Sequence, residues 1–236
     1  MKEGKICGVG VGTGEGTLTA RAVRALREAD VICLPQPEKE TCRSYLAALA
    51  AVPEIEDKPC IGLPFAMTRD QEKLEQIHEE GWQRLLALYR EGKKVVFLTI
   101  GDPAVYSTFG YMADRARRDG VRIEVAPGVP SFVMAADSLG LALCEGDEQL
   151  HILSGQTLTM DNLRYPGTLV IMKCGRRMEE IKAMLVRLEQ EEGAQVLAVE
   201  ECGNPDEKHY LGAAAIPADS GYMTTVIVKK RPDVVY

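Results

Sequence analysis

No apolar run in this 236-residue chain approaches the roughly 18 residues that a membrane-spanning helix needs. Met1-Lys2-Glu3-Gly4-Lys5 leads straight into a strand-like segment, with no apolar stretch ahead of a small-residue cleavage site. The expectation is a cytoplasmic protein without a membrane partner. No Cys-x-x-Cys occurs, and the seven cysteines, at 7, 33, 42, 60, 144, 174 and 202, are odd in number. Cys7, Cys33, Cys60 and Cys174 lie in or beside apolar stretches, as small buried residues do in a reducing compartment. This favours neither a disulfide framework nor a zinc site. His78, His151 and His209 share no metal-ligand spacing and read as surface or packing residues. Positive charge is also short: the net charge is −7, and basic residues mix with acids in the helical segments 69–90 and 176–192. Nucleic acid is therefore not the expected partner.

Several nucleotide and hydrolase signatures are missing too. Glycines stand at 8, 10, 12, 14 and 16, yet no frame gives Gly-x-Gly-x-x-Gly, because the sixth position is Thr13, Glu15, Thr17 or Thr19. No acid ends the second strand, where Leu34-Pro35 stands. Gly-x-x-x-x-Gly-Lys-Ser/Thr and Gly-x-Ser-x-Gly are absent. The glycine-dense loop 10–16 then has two readings: a place where a ligand approaches the backbone, or a plain turn from strand to helix.

What the chain does have is an alternation of strands and helices. Strands are predicted at 5–11, 31–34, 60–63, 95–100, 121–125, 150–153, 169–173, 196–200 and 222–230. Helices are predicted from Thr17, as cap, to about 29, and at 42–51, 71–91, about 106–118, 132–139 with Ser131 as cap, and 178–192. Proline breaks the chain at Pro35, Pro37, Pro53 and Pro59. The fold class is α/β with a mostly parallel first sheet. The expected division is 1–125 and 126–236, with helix 131–139 as a connection. The stretch that organises the rest is Leu98-Thr99-Ile100-Gly101-Asp102-Pro103-Ala104-Val105-Tyr106-Ser107-Thr108-Phe109. A buried strand ends there in a Gly-Asp-Pro turn, at the carboxyl end of a sheet, where open α/β proteins bind small molecules.

Five segments together resemble the tetrapyrrole methylases, enzymes that use S-adenosylmethionine to methylate corrin and sirohaem precursors. They are Gly8-Val9-Gly10-Val11-Gly12, the run 18–32, Gly101–Phe109, Pro127-Gly128-Val129-Pro130-Ser131-Phe132 and Gly221–Val228. The likeness covers nearly the whole chain. The Tyr-Ser-Thr-Phe continuation and the Thr-Thr-Val-Ile-Val ending favour the branch acting at C-20 of precorrin-2 or its cobalt form (cobalt-factor II). The resemblance implies two α/β domains with the active cleft between them, as in class III methyltransferases, and a homodimer. It implies S-adenosylmethionine as cofactor, leaving as S-adenosylhomocysteine, and a tetrapyrrole as substrate. Cofactor contacts are carried over to Gly101, Asp102, Pro103, Val105, Pro130, Ser131, Met172, Gly203, Leu211 and Thr225. Asp102 has a competing role as a turn residue bonding its own backbone.

Tyr106 and Ser107 are candidates to face the substrate, or else to pack and cap the following helix. Arg43, Arg69 and Arg176 are candidates for substrate carboxylates. No nucleophilic side chain is needed, because the sulfonium is already activated, and no residue is assigned as acceptor of the proton that must leave the methylated carbon. The chain departs from the family in three places. Gly12-Thr13-Gly14-Glu15-Gly16 replaces the common Gly-Pro-Gly-Asp-Pro. Pro35 stands where the sirohaem branch has an acid, and Met223 where Phe is usual. Sister methylases of other ring positions, diphthine synthase and a non-catalytic binding module are the competing functions.

Overall fold

The computed structural model describes residues 4–63, 65 and 70–230. Arg69 and most of the expected loop 64–70 lie outside the described residues. The chain divides into two compact units, Met1–Pro130 and Ser131–Tyr236.

The first unit is built on five strands, the inner ones apolar on both faces, the pattern of a sheet covered on both sides. They are β1 (Lys5–Gly10), β2 (Val31–Leu34), β3 (Cys60–Gly62), β4 (Lys94–Thr99) and β5 (Ile123–Ala126). They pair in the order β3-β2-β4-β1-β5, all parallel. Helices α1 (Ala20–Glu28), α2 (Arg43–Ala51), α3 (Gln71–Arg90) and α4 (Phe109–Arg118) supply the crossovers. Ala22, Leu26 and Tyr45 of α1 and α2 pack with Val9, Ile32 and Leu98 on one face. Trp82, Leu85, Phe109 and Met112 of α3 and α4 pack with Ile6, Val95 and Phe97 on the other.

Two helix starts differ from expectation. Thr19, not Thr17, caps α1, its hydroxyl accepting the Ala22 N–H at 3.2 Å. Thr17 instead closes the preceding loop, donating to the Val11 carbonyl at 3.1 Å. Helix α4 begins at Phe109 rather than near Tyr106, because Tyr106 has φ 47, outside the right-handed helical region.

The second unit has a mixed sheet of β6 (Leu150–Ser154), β7 (Thr168–Met172), β8 (Gln195–Glu200), β9 (Lys208–Leu211) and β10 (Thr224–Lys229). The order is β6-β7-β10-β8-β9, parallel between β6 and β7 and antiparallel elsewhere. Helix α7 (Met178–Glu192) sets Ile181, Leu185 and Leu188 against Ile171, Val196 and Val226. Helix α5 (Ser131–Ser138) lies in this unit and sets Ala135 and Ala136 against Val199 and Ile227 of the opposite face. Two elements escaped the sequence reading: β9, a short polar edge strand, and the four-residue helix α6 (Met160–Leu163).

Lys229 is the charged anchor of this sheet. Its side chain is 3% exposed, and Nζ lies 2.9 Å from Glu148 Oε2 and 3.2 Å from the carbonyls of Ala142 and Leu143. Thr168 Oγ1 donates to the same carboxylate at 3.2 Å. Burial raises the Glu148 pKa, but Lys229 and Thr168 outweigh it and the net direction is down. Removing one partner of such a pair strands the other charge. Lys229→Met is expected to destabilise the chain by about 3–5 kcal/mol in urea unfolding. A loss below about 1 kcal/mol would show that the pair is not holding the sheet edge loop.

Candidate functional site

The connection after β1 leads to α1 on one face of the first sheet, and that after β4 leads towards α4 on the other. Neighbouring parallel strands whose connections depart oppositely leave a crevice at their carboxyl ends. The loops 10–16 and 100–108 lie there, with 127–130 beside them at the end of β5.

These loops touch backbone to backbone. Gly12 and Gly101 form an antiparallel bridge, the Gly101 N–H donating to the Gly12 carbonyl at 2.9 Å and the Gly12 N–H returning a bond at 3.2 Å. Their φ values are 70 and 68, which glycine adopts freely. A Cβ on Gly10 would lie 2.6 Å from the Gly128 nitrogen and 2.8 Å from Pro103 Cδ. One on Gly128 would run into the Gly101 carbonyl oxygen. The glycines serve first to let three turns approach. The Thr19 hydroxyl adds a bond to the Pro127 carbonyl at 3.0 Å.

Asp102 joins two of those turns. Oδ1 accepts the Ala104 N–H at 2.8 Å, and Oδ2 accepts the Gly128 N–H at 3.0 Å. Ser107 Oγ donates to Thr99 Oγ1 at 2.9 Å and accepts the Phe109 N–H at 3.1 Å, so it braces β4 and the start of α4. Tyr106 is 41% exposed, and partial burial raises its phenol pKa. Gly101 and Pro103 are buried, Val105 and Pro130 half-buried, and Arg43 is exposed as the first residue of α2. The Thr13 hydroxyl, on a residue 7% exposed, has no hydrogen-bond partner among the described residues.

In the second unit, Met172 closes β7, half-buried, with Lys173 next to it at φ 58. Val226 pairs with Ile171 and Thr225 with Val199, so the register sets Thr225 beside Met172. The loop after β8 holds Glu201 at φ 54 and Gly203 at φ 78. The Gly203 N–H donates to Glu207 Oε2 at 2.5 Å, and Ser138 Oγ and His209 Nε2 bond the other oxygen of that carboxylate. Burial raises the Glu207 pKa, yet these bonds outweigh it and hold the carboxyl at about 2. Ser131 is the first residue of α5.

The structure thus gathers Gly101, Asp102, Pro103, Val105, Tyr106 and Ser107 with the 10–16 and 127–130 loops in the first unit. In the second it brings Met172, Thr225 and the Gly203 loop to one end of the sheet. It does not bring Leu211 there. Leu211 is 72% exposed on β9, paired with Leu197, two residues beyond the row of Met172 and about 14 Å away across three strand spacings. Thr13, Lys173 and Glu201 were not singled out from the sequence. Non-glycine residues at positive φ leave no mark in composition or spacing, and an unpartnered hydroxyl is visible only in three dimensions.

The family model of the Tetrapyrrole (Corrin/Porphyrin) Methylases matches residues 5–216. A probable cobalt-precorrin-2 C(20)-methyltransferase of Methanocaldococcus jannaschii is 32% identical over 76% of each chain. A cobalt-precorrin-2 C(20)-methyltransferase of Salmonella typhimurium is 27% identical over 97% of each. Among solved structures, a uroporphyrin-III-C-methyltransferase from Thermus thermophilus aligns over 96% of this chain and 94% of its own, with a TM-score of 0.72 and 27% identity.

Asp102→Asn keeps one acceptor but turns an amide donor towards the Gly128 N–H. A loss of about 1–3 kcal/mol in chemical unfolding is expected; unchanged stability would mean the two turns hold each other without the carboxylate. Glu207 gives a pH test. With its pKa lowered from 4.5 to about 2, its stabilisation is complete above about pH 4.5 and lost as pH falls towards 2. Melting curves of Glu207→Gln should therefore fall less steeply than the parent over that window.

Proposed function

The chain belongs to the tetrapyrrole (corrin/porphyrin) methylases, and on that footing we propose that it methylates C-20 of precorrin-2 or cobalt-factor II in cobalamin biosynthesis. The observation that carries the ring position is the agreement of the two relatives, one of them over nearly its full length, whose names both specify C-20. We propose S-adenosylmethionine as the methyl donor, a homodimer as the assembly and the cytoplasm as the compartment.

The residues present fit that cofactor. The contacts proposed are Gly101, Asp102, Pro103, Val105 and Pro130 in the first unit, and Ser131, Met172, Gly203 and Thr225 in the second, with Leu211 the outlying member. Loops bare of side chains let a ligand lie against backbone N–H and C=O groups. The buried Thr13 hydroxyl, without a protein partner among the described residues, suits a polar group of the cofactor, since burying it unpaired costs free energy. Met172 offers a polarizable thioether to a flat ring.

When bound, S-adenosylmethionine would supply a methyl group on a sulfonium, activated for in-line transfer to an electron-rich meso carbon, with S-adenosylhomocysteine as leaving group and the meso proton lost. The chain's own part is alignment and exclusion of water. Asp102 fixes the 101–106 turn through its two backbone bonds. Ser107 fixes the end of that turn on β4, and Tyr106, exposed at φ 47 just before it, is proposed to face the substrate. Arg43 is proposed for a substrate carboxylate.

Incubation with S-adenosylmethionine and sirohydrochlorin-type tetrapyrroles, metal-free and cobalt-loaded, should add one methyl by mass spectrometry, placed at C-20 by product mapping. Absence of any methylated tetrapyrrole would sink the enzymatic reading, and a methyl elsewhere on the ring would reassign the branch. Thr13→Val should leave the fold as stable as before or stabilise it by about 1 kcal/mol, while weakening cofactor binding about tenfold in calorimetry. Unchanged affinity would remove Thr13 from the site.

A further inference from the structure

One carboxylate organises the loop that follows β8. Gly203 stands in that loop at φ 78, a conformation that glycine adopts freely. Its N–H donates to Glu207 Oε2 at 2.5 Å. The other oxygen, Oε1, accepts from the Ser138 hydroxyl and lies 2.7 Å from His209 Nε2. The Glu207 side chain is 24% exposed. It ties together the loop, the last residue of α5 and strand β9.

The loop has other supports. The Asn204 N–H donates to the Glu201 carbonyl and the Glu207 N–H to the Asn204 carbonyl, each at 3.0 Å. Cys202 is buried against Ala135 and Ala136 of α5. These contacts hold the course of the loop. The carboxylate holds something narrower, the orientation of the peptide between Cys202 and Gly203. A peptide bordered by glycine turns readily, and the bond to Glu207 selects one of its orientations. Ser138, on the same carboxylate, closes the helix that Ser131 opens. Gly203 and Ser131 are both proposed cofactor contacts.

We propose that Glu207 is a positioning residue for the cofactor: by holding the Gly203 N–H it keeps the loop in the orientation that S-adenosylmethionine binds. This rests on the methylase reading above and adds a side chain that acts through Gly203. A site whose competent orientation is only fractionally populated binds more weakly by that fraction. Without the carboxylate, a peptide correctly turned about a tenth of the time would bind about tenfold more weakly. The complex, once formed, is the same. The effect therefore falls on cofactor affinity and not on kcat at saturating cofactor.

The test uses the full chain, with S-adenosylhomocysteine affinity from calorimetry and methylation of cobalt-loaded sirohydrochlorin from steady-state rates. Glu207→Ala should raise the Kd for S-adenosylhomocysteine and the KM for S-adenosylmethionine about tenfold, with kcat and the tetrapyrrole KM within about twofold. Glu207→Asp, one methylene short of the Gly203 N–H, should behave in the same way. Glu207→Gln keeps an oxygen for that N–H and should stay within about threefold of the parent Kd. Ser138→Ala removes a tie to α5 but leaves the Gly203 bond, and should also stay within about threefold. An unchanged Kd in folded Glu207→Ala or Glu207→Asp overturns this proposal alone. So does a loss in Ser138→Ala or Glu207→Gln equal to that in Glu207→Ala, which would make the cluster a general support of the unit. Failure of both Glu207→Ala and Glu207→Asp to fold overturns it for the same reason. If the unaltered chain binds no S-adenosylhomocysteine, the cofactor reading falls, and this proposal with it.

Discussion

One carboxylate governs the geometry of the first unit's site. Asp102 receives an N–H from its own turn and another from Gly128, twenty-six residues further along the chain. Each bond closes a loop whose backbone polar groups have no strand or helix partner to turn to. The Gly12–Gly101 bridge then ties in the loop after β1. Three connections that leave neighbouring strands in different directions are thereby held as one rigid rim. The tight contacts among Gly10, Gly101 and Gly128 follow from that constraint, since any Cβ at Gly10 or Gly128 would force the turns apart. The arrangement explains why the site depends on small residues whose role is to be absent.

Side chains that look functional here owe their placement to the backbone and to neighbouring polar groups. Ser107 and Asp102 are polar and sit in the recognised motif, yet both are engaged with neighbouring groups of the fold. Tyr106, in the loop before α4, and Lys173, just after β7, are held in strained backbone conformations. Local strain at such positions persists only where surrounding contacts over-determine it. At Lys173 those contacts are Gln156, Arg177 and the buried Cys174.

Much of the fold was legible from pattern alone. The apolar runs of β1, β2 and β4 and the amphipathic spacing of α3 and α7 agree with the structure to within a residue or two. Burial drives these elements, and burial leaves a periodic trace. The Gly-Asp-Pro turn was legible because proline and glycine punctuate a chain strongly. Thr17 and Thr19 were not separable in sequence, because either could cap and only the bridge between Leu18 and Gly128 decides which lies outside the helix. Strand β9 had little apolar signal, being an exposed edge whose residues Lys208, His209 and Leu211 face solvent. The failure of the dinucleotide spacing was informative: Gly10 and Gly12 bring backbones together and do not repeat the familiar phosphate-binding turn.

The place of β10 in the second sheet bears on how that unit comes into being. It is the central strand, flanked by β7 and β8, although all four of its companions precede it in the chain. During vectorial synthesis the β6–β7 pair and the β8–β9 hairpin emerge with no strand to join them, each exposing an unpaired edge. Neither β7 nor β8 can gain its β10 partner until residues 224–229 have been made. Such late, non-local pairing is slow relative to local helix formation. The second unit is therefore the part of the molecule whose maturation depends most on protection of its half-built state, and the parallel first sheet, complete by residue 126, is free to fold before it.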